Sequence, residues 1–277
     1  MIFWGIYMKK AIVINNLWSK YDENWVLKNI YLKIYRGESV GLVGPTGSGK
    51  TTLAKHILGL LKPIKGRVIV DGIDVSKTSA SKMARIVGYL FQNPSHQIFS
   101  ETVYDEIAFG LKNFGIKNID ERVRSMAETM GLIDKLEESP FNLSIGERER
   151  VAIASILVLD PKILILDEPT IGQDYKNYIL LKFLLNRLRE RGKTIILISH
   201  DMELILEHCD RIIALKNGEI LYDGDIKIFF NNAFLLKNLN LDLPPLLKFS
   251  KKYGLNKFVR NIDELIKVLK NEARPIC

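Results

Sequence analysis

One eight-residue stretch constrains this chain more than any other. "GPTGSGKT", Gly44–Thr51, fits G-x-x-x-x-G-K-[ST] and stands between a short apolar run, "SVGLVG" (39–44), and a segment of helical spacing, "KTTLAKHILGLL". Between a buried strand and a helix, such glycines let backbone N–H groups face a phosphate chain, and the helix start adds its positive dipole end. Lys50 would then reach the β- and γ-phosphates and Thr51 would ligate Mg²⁺, with Gly44, Pro45, Thr46, Gly47, Ser48, Gly49 and Thr52 completing the loop.

The flanking pattern supplies the sheet such a loop needs. Ile30, Leu32 and Ile34 alternate with Tyr31, Lys33 and Tyr35, the period-two signal of a half-buried strand. Leu53, Ile57 and Leu60 are expected on one face of the helix after the loop. Asp71-Gly72 and Asn217-Gly218 each divide two apolar stretches, so both predict hairpins whose turns use positive φ. From about Pro94 to Leu159 the spacing is helical, with Asp120 expected to cap a helix carrying Val123, Met126, Ala127 and Met130. "KILILDEP" and "TIILISH" read as two more buried strands, separated by a helix through Tyr178–Glu190. Apolar strands alternating with helices predict an α/β fold whose largely parallel sheet is covered on both faces.

The second chemical stretch is "ILILDEP", Ile163–Pro169. Asp167 emerges at the end of an apolar strand, where a carboxylate can hold the magnesium hydration shell. The adjacent Glu168 is placed to orient or deprotonate an attacking water. Two acids at a strand end are ordinary by themselves; together with Gly44–Thr51 they describe a nucleoside-triphosphate site.

Composition limits the partners. The 277 residues can bury one large core, or one core plus an appendage. A net charge of +8 favours anions, whether nucleotide, nucleic acid or acidic membrane surface. Two cysteines, Cys209 and Cys277, make no disulfide framework and suit a reducing compartment. No apolar run approaches the roughly 20 residues that span a bilayer, so a soluble chain is expected, with any membrane role coming through a partner. The start, "MIFWGIYMKK", carries its charges after the apolar stretch, the reverse of a secretory signal, and Met8 serves equally well as the first residue. After about Phe230 the pattern changes: Pro244-Pro245 interrupts it, and the amphipathic "IDELIKVLK" closes it. Residues 233–277 hold nine Lys/Arg against four Asp/Glu, which fits a solvated helical appendage or a docking surface for a partner chain or acidic lipid.

Over about residues 8–230 the sequence resembles the ATP-binding-cassette (ABC) ATPases. Beside Gly44–Thr51 and Ile163–Glu168 stand Gln92 in "FQNP", Asp174 in "TIGQD" and His200 at the end of "TIILISH", in the family's order and at about its spacing. The resemblance implies a P-loop cassette at 8–232 with a mixed sheet, an antiparallel β subdomain and a helical subdomain at about 94–158, followed by a small C-terminal appendage at 233–277. It implies ATP and Mg²⁺ as ligands, with Gln92 contacting the metal and attacking water beside Thr51 and Asp167. Glu168, His200, Gln92 and Lys50 become the catalytic set, His200 contacting the γ-phosphate. An aromatic residue ahead of the loop stacks on adenine in this family; Tyr21 is the best match, with Trp18 and Trp25 as alternatives.

Family members work as head-to-tail pairs, each ATP lying between one cassette's P-loop and the other's signature, usually L-S-G-G-Q. "LSIGE" occupies that place here. Ser144 and Gly146 match the residues that bond the partner's γ-phosphate, and Asp174 matches the loop that meets the partner. Ile145 and Glu147 depart from the pattern, as does Gln173 in "IGQD". A β-branched residue is acceptable at 145 if φ is negative there. Glu147 is favoured by the helix dipole and repelled by a triphosphate. The partner implied is a second ABC ATPase subunit, in a homo- or heterodimer; the departures point to the heterodimer, with unequal sites and "LSIGE" serving the slower one.

The stretch "FQNPSHQIFSETVYDEIAFGLKNFGI" (91–116) looks like the ATPases of energy-coupling-factor importers of cobalt, nickel and vitamins. Gln92, Asn93, Pro94, Gln97, Phe99, Thr102, Val103, Ala108, Phe109 and Gly110 fit that subgroup, while Ile107 interrupts it; importers of other ABC classes share pieces of the stretch and are the alternative. The resemblance implies integral membrane subunits docking through the segment after Gln92, no nucleic-acid partner, and a peripheral place on the cytoplasmic face of the membrane. Phe99 and Phe109 also suit simple packing. A DNA-repair ATPase would need a coiled-coil insertion between Thr52 and Leu143, and that span lacks sustained heptads. A translation-factor cassette needs two cassettes in one chain, and a non-hydrolysing regulatory cassette would lack Glu168 and His200.

Overall fold

The computed structural model describes residues 9–93, 97–170, 174–255 and 257–272. The readings that concerned Met1–Met8, Pro94, Gln173 and Cys277 lie outside them. Among the described residues, the strands β3 (Ser39–Val43), β6 (Val87–Leu90), β7 (Ile163–Asp167), β8 (Thr194–Ile198), β9 (Arg211–Lys216) and β10 (Glu219–Asp225) form one sheet in the order β10-β9-β3-β8-β7-β6. All its pairings are parallel except β9 with β10, which join through the Asn217-Gly218 turn. β3, β7 and β8 are buried at every residue, the mark of a sheet covered on both faces.

Side-chain alternation divides these strands between two cores. Val40, Leu42, Ile163, Ile165, Ile196, Ile198, Ile213 and Leu215 face one core, with α1 (Lys50–Ile57) and the second sheet. That sheet is antiparallel, ordered β2-β1-β4-β5 from β1 (Lys10–Tyr21), β2 (Asn24–Tyr35), β4 (Lys65–Val70) and β5 (Ile73–Asp74). The expected alternation at 30–35 is present, with Ile30, Leu32 and Ile34 buried. Asp71 and Gly72 both have positive φ, 48° and 86°, and close β4 onto β5 with Val70 opposite Ile73.

Leu164, Leu166, Ile195, Leu197, Ile212 and Ala214 point the other way, into a larger helical core. Short α2 (Ala80–Met83) precedes β6, and then α3 (Val103–Asn113), α4 (Ile119–Thr129) and α5 (Ile145–Leu157) build the region after Gln92. α6 (Tyr175–Glu190) and α7 (Met202–His208) cover the parallel strands. α8 (Ile226–Asn231), α9 (Ala233–Asn238), α10 (Pro245–Lys252) and α11 (Ile262–Glu272) follow, and Leu235, Leu236, Leu239, Leu247, Val259 and Val268 bury themselves in the same core.

Three expectations need correction. Leu60 is not on the buried face of α1; the helix stops at Ile57, and Leu60 is half exposed. Gly59 takes φ +72°, Gly59 N–H bonds His56 O and Leu60 N–H bonds Lys55 O, a Schellman stop that turns the chain away. Asp120 does not cap α4: Asn118 stands at the cap with φ +59°, and Asp120 lies in the first turn, paired with Arg124 at 3.0 Å. The helix expected from Tyr178 starts at Tyr175, because Asp174 caps it by accepting Asn177 N–H at 2.8 Å.

Candidate nucleotide site

The carboxyl ends of β3, β6, β7 and β8 are neighbours in the sheet, and each delivers one part of the site. β3 runs into Gly44–Thr51, β6 into Gln92, β7 ends on Asp167-Glu168, and β8 leads to His200. The crevice beyond the strand ends, where the connection order reverses, is where open α/β sheets place ligands. Gly47, Ser48, Lys50, Thr51, Gln92, Asp167, Glu168 and His200 line one cavity there of about 290 Å³, together with Val26.

The loop can follow this path because of its glycines. Gly44 has φ +145° and a Cβ there would overlap the carbonyl of Leu215; Gly49, the N-cap of α1, has φ +105° with Leu27 and the Val26 carbonyl against it. No side-chain hydrogen bond caps α1, and Gly49, Lys50, Thr51 and Thr52 line the cavity, so the helix's unpaired first N–H groups are available to an anion there. Lys50 is the first residue of that helix, and its ammonium donates to Gly44 O at 2.7 Å and Pro45 O at 3.0 Å. Two of its three donors are thus engaged, and the third is free to meet a phosphate. Burial pushes its pKa below the usual lysine range, while the carboxylates of Glu168 and Asp167 pull upward.

Thr51 Oγ1 donates to Asp167 Oδ2 at 3.0 Å. A hydroxyl and a carboxylate so placed fit Mg²⁺, which binds through one or two protein carboxylates plus substrate phosphates. The buried Ser48 hydroxyl has no partner among the described residues, a polar atom suited to a phosphate oxygen or metal shell. Tyr89, in β6, donates to the same Asp167 oxygen at 2.7 Å. Burial and the Asp167 carboxylate push its phenol well above the usual tyrosine range, so it is a fixed donor.

Glu168 sits just past β7 with φ +53°, a left-handed conformation costing a non-glycine residue roughly 1–2 kcal/mol. Its N–H bonds Ile198 O at 2.8 Å, and its Oε2 accepts His200 N–H at 3.1 Å and the Ser199 hydroxyl at 3.4 Å. His200 Nε2 stands 3.4 Å from Oε1. The pair therefore faces the cavity as a unit: a buried carboxylate and a half-exposed imidazole.

Other candidates lie elsewhere. Tyr21 ends β1, 43% exposed and outside the cavity lining. Trp18 and Trp25 stack edge-to-face at 5.3 Å, with Lys65 and Lys20 over their rings. Ser144, Gly146 and Asp174 also lie apart from the cavity. Ser144 caps α5, Ile145 is its exposed first residue with negative φ, and Gly146 packs on the Asn177 side chain so closely that a Cβ would overlap it. The signature stretch and the segment capped by Asp174 thus form one surface.

A second cavity, about 640 Å³, opens on the helical side and is lined by Phe91, Phe99, Phe109, Phe114, Gln97 and Leu159 among others. Phe99 and Phe109 pack edge-to-face at 4.6 Å yet remain 58% and 46% exposed, which departs from simple core packing. Glu106, fully buried in α3, accepts the N–H groups of Phe99 and Ser100 at 3.0 and 2.9 Å, fixing the segment after Gln92 to that helix. Sequence reasoning missed Tyr89, Ser199, Val26 and Glu106; a polar residue in a buried run was the one available signal for Tyr89 and Glu106.

This arrangement defines a P-loop nucleoside triphosphatase. The ABC transporter family model matches residues 27–171. A proposed ABC transporter ATP-binding protein of Pyrococcus furiosus is 45% identical over 92% of this chain and 98% of its own length. Among solved structures, cbiO1 from Clostridium perfringens, described as part of the ABC transporter complex cbiONQ, is 33% identical with TM-score 0.73, covering 88% of this chain and 99% of its own. The cassette MJ0796, solved as a post-hydrolysis dimer with ADP and phosphate, is 29% identical with TM-score 0.69, covering 78% of this chain and 98% of its own. The chain belongs to the ABC transporter family: it has the ABC ATPase fold, binds ATP with Mg²⁺ and hydrolyses it as a transporter's nucleotide-binding subunit. No described helix is long and apolar enough to cross a membrane.

Proposed function

We propose that this chain is the ATPase of an energy-coupling-factor type importer, for a metal ion or vitamin, held peripherally on the cytoplasmic face through its membrane subunits. The observation that carries this reading is the exposed Phe99–Phe109 pair in the groove beside Gln92, an apolar seat for a helix of a membrane partner. The likeness to cbiO1 supports it. Residues 8–232 would be the cassette and 233–277 an appendage.

In this reading the P-loop N–H groups and Lys50 bind the β- and γ-phosphates, and Thr51, Asp167 and Gln92 would hold Mg²⁺. The ion supplies charge neutralisation on the phosphate oxygens when bound. Glu168 takes the proton of a water that attacks the γ-phosphorus, the bond to the β-bridging oxygen breaks, and His200 orients the transferred group. Ser144 and Gly146 are lent to the nucleotide of a second cassette, and Asp174 meets that cassette. Closure of the pair on ATP and reopening after hydrolysis would move the groove, and with it the membrane subunits.

The test is co-purification of the chain with integral membrane proteins from native membranes, then uptake in proteoliposomes. A small-molecule importer whose uptake is ATP-dependent and is lost in Phe99→Asp supports the reading. An exporter, or a cassette that binds no membrane protein, would overturn it.

A further inference from the structure

α7 joins the strand end that carries His200 to the C-terminal segment around Arg260. Its front end follows His200: Asp201 caps the helix by accepting Glu203 and Leu204 N–H, each at 3.0 Å, and its own N–H donates to the Ser199 hydroxyl at 3.0 Å. The helix is seven residues long, so about 10 Å separates its ends. Its last carbonyls have no intrahelical partner, as at any helix end. Here each is met by a side chain. Leu206 O takes Arg260 Nε at 3.0 Å, Glu207 O takes Arg189 Nη1 at 3.4 Å, His208 O takes the Ser39 hydroxyl, and Cys209 O takes Arg260 Nη2.

Arg260 is the one tail residue in that set, and its whole fork is committed. The remaining nitrogen, Nη1, reaches Asp210 at 2.8 Å, and Arg189 holds the same carboxylate from the other side, also at 2.8 Å. The arginine is itself anchored: its N–H bonds Glu264 Oε2 at 2.8 Å, and Glu264 N–H bonds Asn261 Oδ1 at 2.9 Å, at the start of α11. Val259 and Val268 seat this segment in the larger core. A planar guanidinium with three nitrogens on fixed acceptors locates a helix end in a way an ammonium cannot.

We propose that Arg260 is a positioning residue for hydrolysis: by clamping the far end of α7, it fixes where His200 stands relative to Glu168. A short helix transmits a tilt at one end to the other, and His200 meets Glu168 at both carboxylate oxygens: its N–H bonds Oε2 at 3.1 Å and its ring nitrogen stands 3.4 Å from Oε1. The tail therefore acts on the rate of the chemical step, not on ATP binding, which is made by residues of the P-loop on β3 and α1. This inference rests on the reading of Glu168 and His200 given above.

The test is steady-state ATPase activity of the full chain carrying R260A, R260K or H200A, with NMR of the imidazole signals of its four histidines. R260A is expected to lower kcat about tenfold with KM for ATP within about twofold, since a small displacement far from the chemistry can cost that much. It should also move the His200 signal and leave that of His56 in place; R260K should recover part of both effects. If R260A does not fold, R260K carries the test through the His200 signal. A kcat within about twofold of wild type beside an inactive H200A, a rise in KM alone, or an unmoved His200 signal would overturn the proposal. Full activity in H200A would instead show that the reading of His200 beneath it is wrong.

Discussion

The Ser144 hydroxyl is bonded to the Glu147 carboxylate at 2.6 Å, and Glu147 also takes Ser144 N–H at 3.0 Å while giving its own N–H to Ser144 Oγ. This is a full capping box, and it makes the acid of "LSIGE" part of the helix start. A carboxylate only accepts, so the one hydroxyl hydrogen of Ser144 is directed at Glu147. The two bonds from Ser144, joined by Arg150 and Lys135 nearby, hold the Glu147 pKa below the usual carboxylate range. To bond a partner's γ-phosphate, Ser144 must leave an ionised acceptor.

That competition predicts that Ile145→Gly with Glu147→Gln speeds turnover at the partner's nucleotide. A bond to a charged acceptor is worth about 1 kcal/mol more than one to a neutral amide, so the gain should be about fivefold. It is read as the rate of a single round of hydrolysis in the assembled pair, with this chain also carrying Glu168→Gln to silence its own P-loop. Unchanged turnover would mean the substitutions are neutral and the idea of unequal sites is wrong.

Glu168 is held in a left-handed backbone between Ile198 and His200. Replacing it by Gln keeps the shape and the hydrogen-bonding oxygen but removes the carboxylate proposed as the base. Hydrolysis should fall by about 10²-fold or more while ATP still binds, leaving a pair that stays closed on ATP in size-exclusion chromatography. Wild-type turnover in Glu168→Gln would refute the role given to it.

Much of this site was legible because its parts are local. Ser39–Thr51 and Ile163–Glu168 each join a strand to the reactive residues at its end in one short stretch, and buried apolar runs mark the strands. What escaped depends on contacts between distant segments. Tyr89 meets Asp167 across 78 positions, and Arg260 meets Cys209 across 51. No spacing rule encodes either. The end of α1 failed differently: the stop at Gly59 was visible, but the apolar spacing of Leu60 outweighed it in a reading by periodicity. Asn118 and Asp120 are both acceptable caps, and only the left-handed turn at Asn118 decides between them.

Tyr89 gives a test of that unforeseen contact. Tyr89→Phe removes the donor that orients Asp167 and leaves Thr51 as its hydroxyl partner. Losing such a support of a ligating carboxylate typically weakens metal binding at least tenfold. The Mg²⁺ concentration for half-maximal ATPase activity should therefore rise about tenfold, with kcat recovered at high Mg²⁺. A Mg²⁺ titration that superimposes on wild type would remove Tyr89 from the site.

The last prediction concerns pH and does not depend on the chemistry of ATP. His56 and His208 are fully buried, and both imidazoles are pushed down to about 4. Burial is the main cause for each, joined at His208 by the charges of Lys182, Arg189 and Arg260. Unfolded histidine titrates near 6.5, so between about 6.5 and 4 the unfolded chain binds protons that the folded chain refuses. Stability is therefore complete above that window and falls as pH drops through it, by about 2 kcal/mol per histidine at pH 5. The melting temperature should fall by roughly ten degrees between pH 7 and pH 5. His208→Met removes one of the two titrating groups and should reduce that fall by about half, measured by calorimetry on the chain without nucleotide. An unchanged slope would show that His208 is charged in the folded protein, and that the cluster of Lys182, Arg189 and Arg260 around it does not keep it neutral.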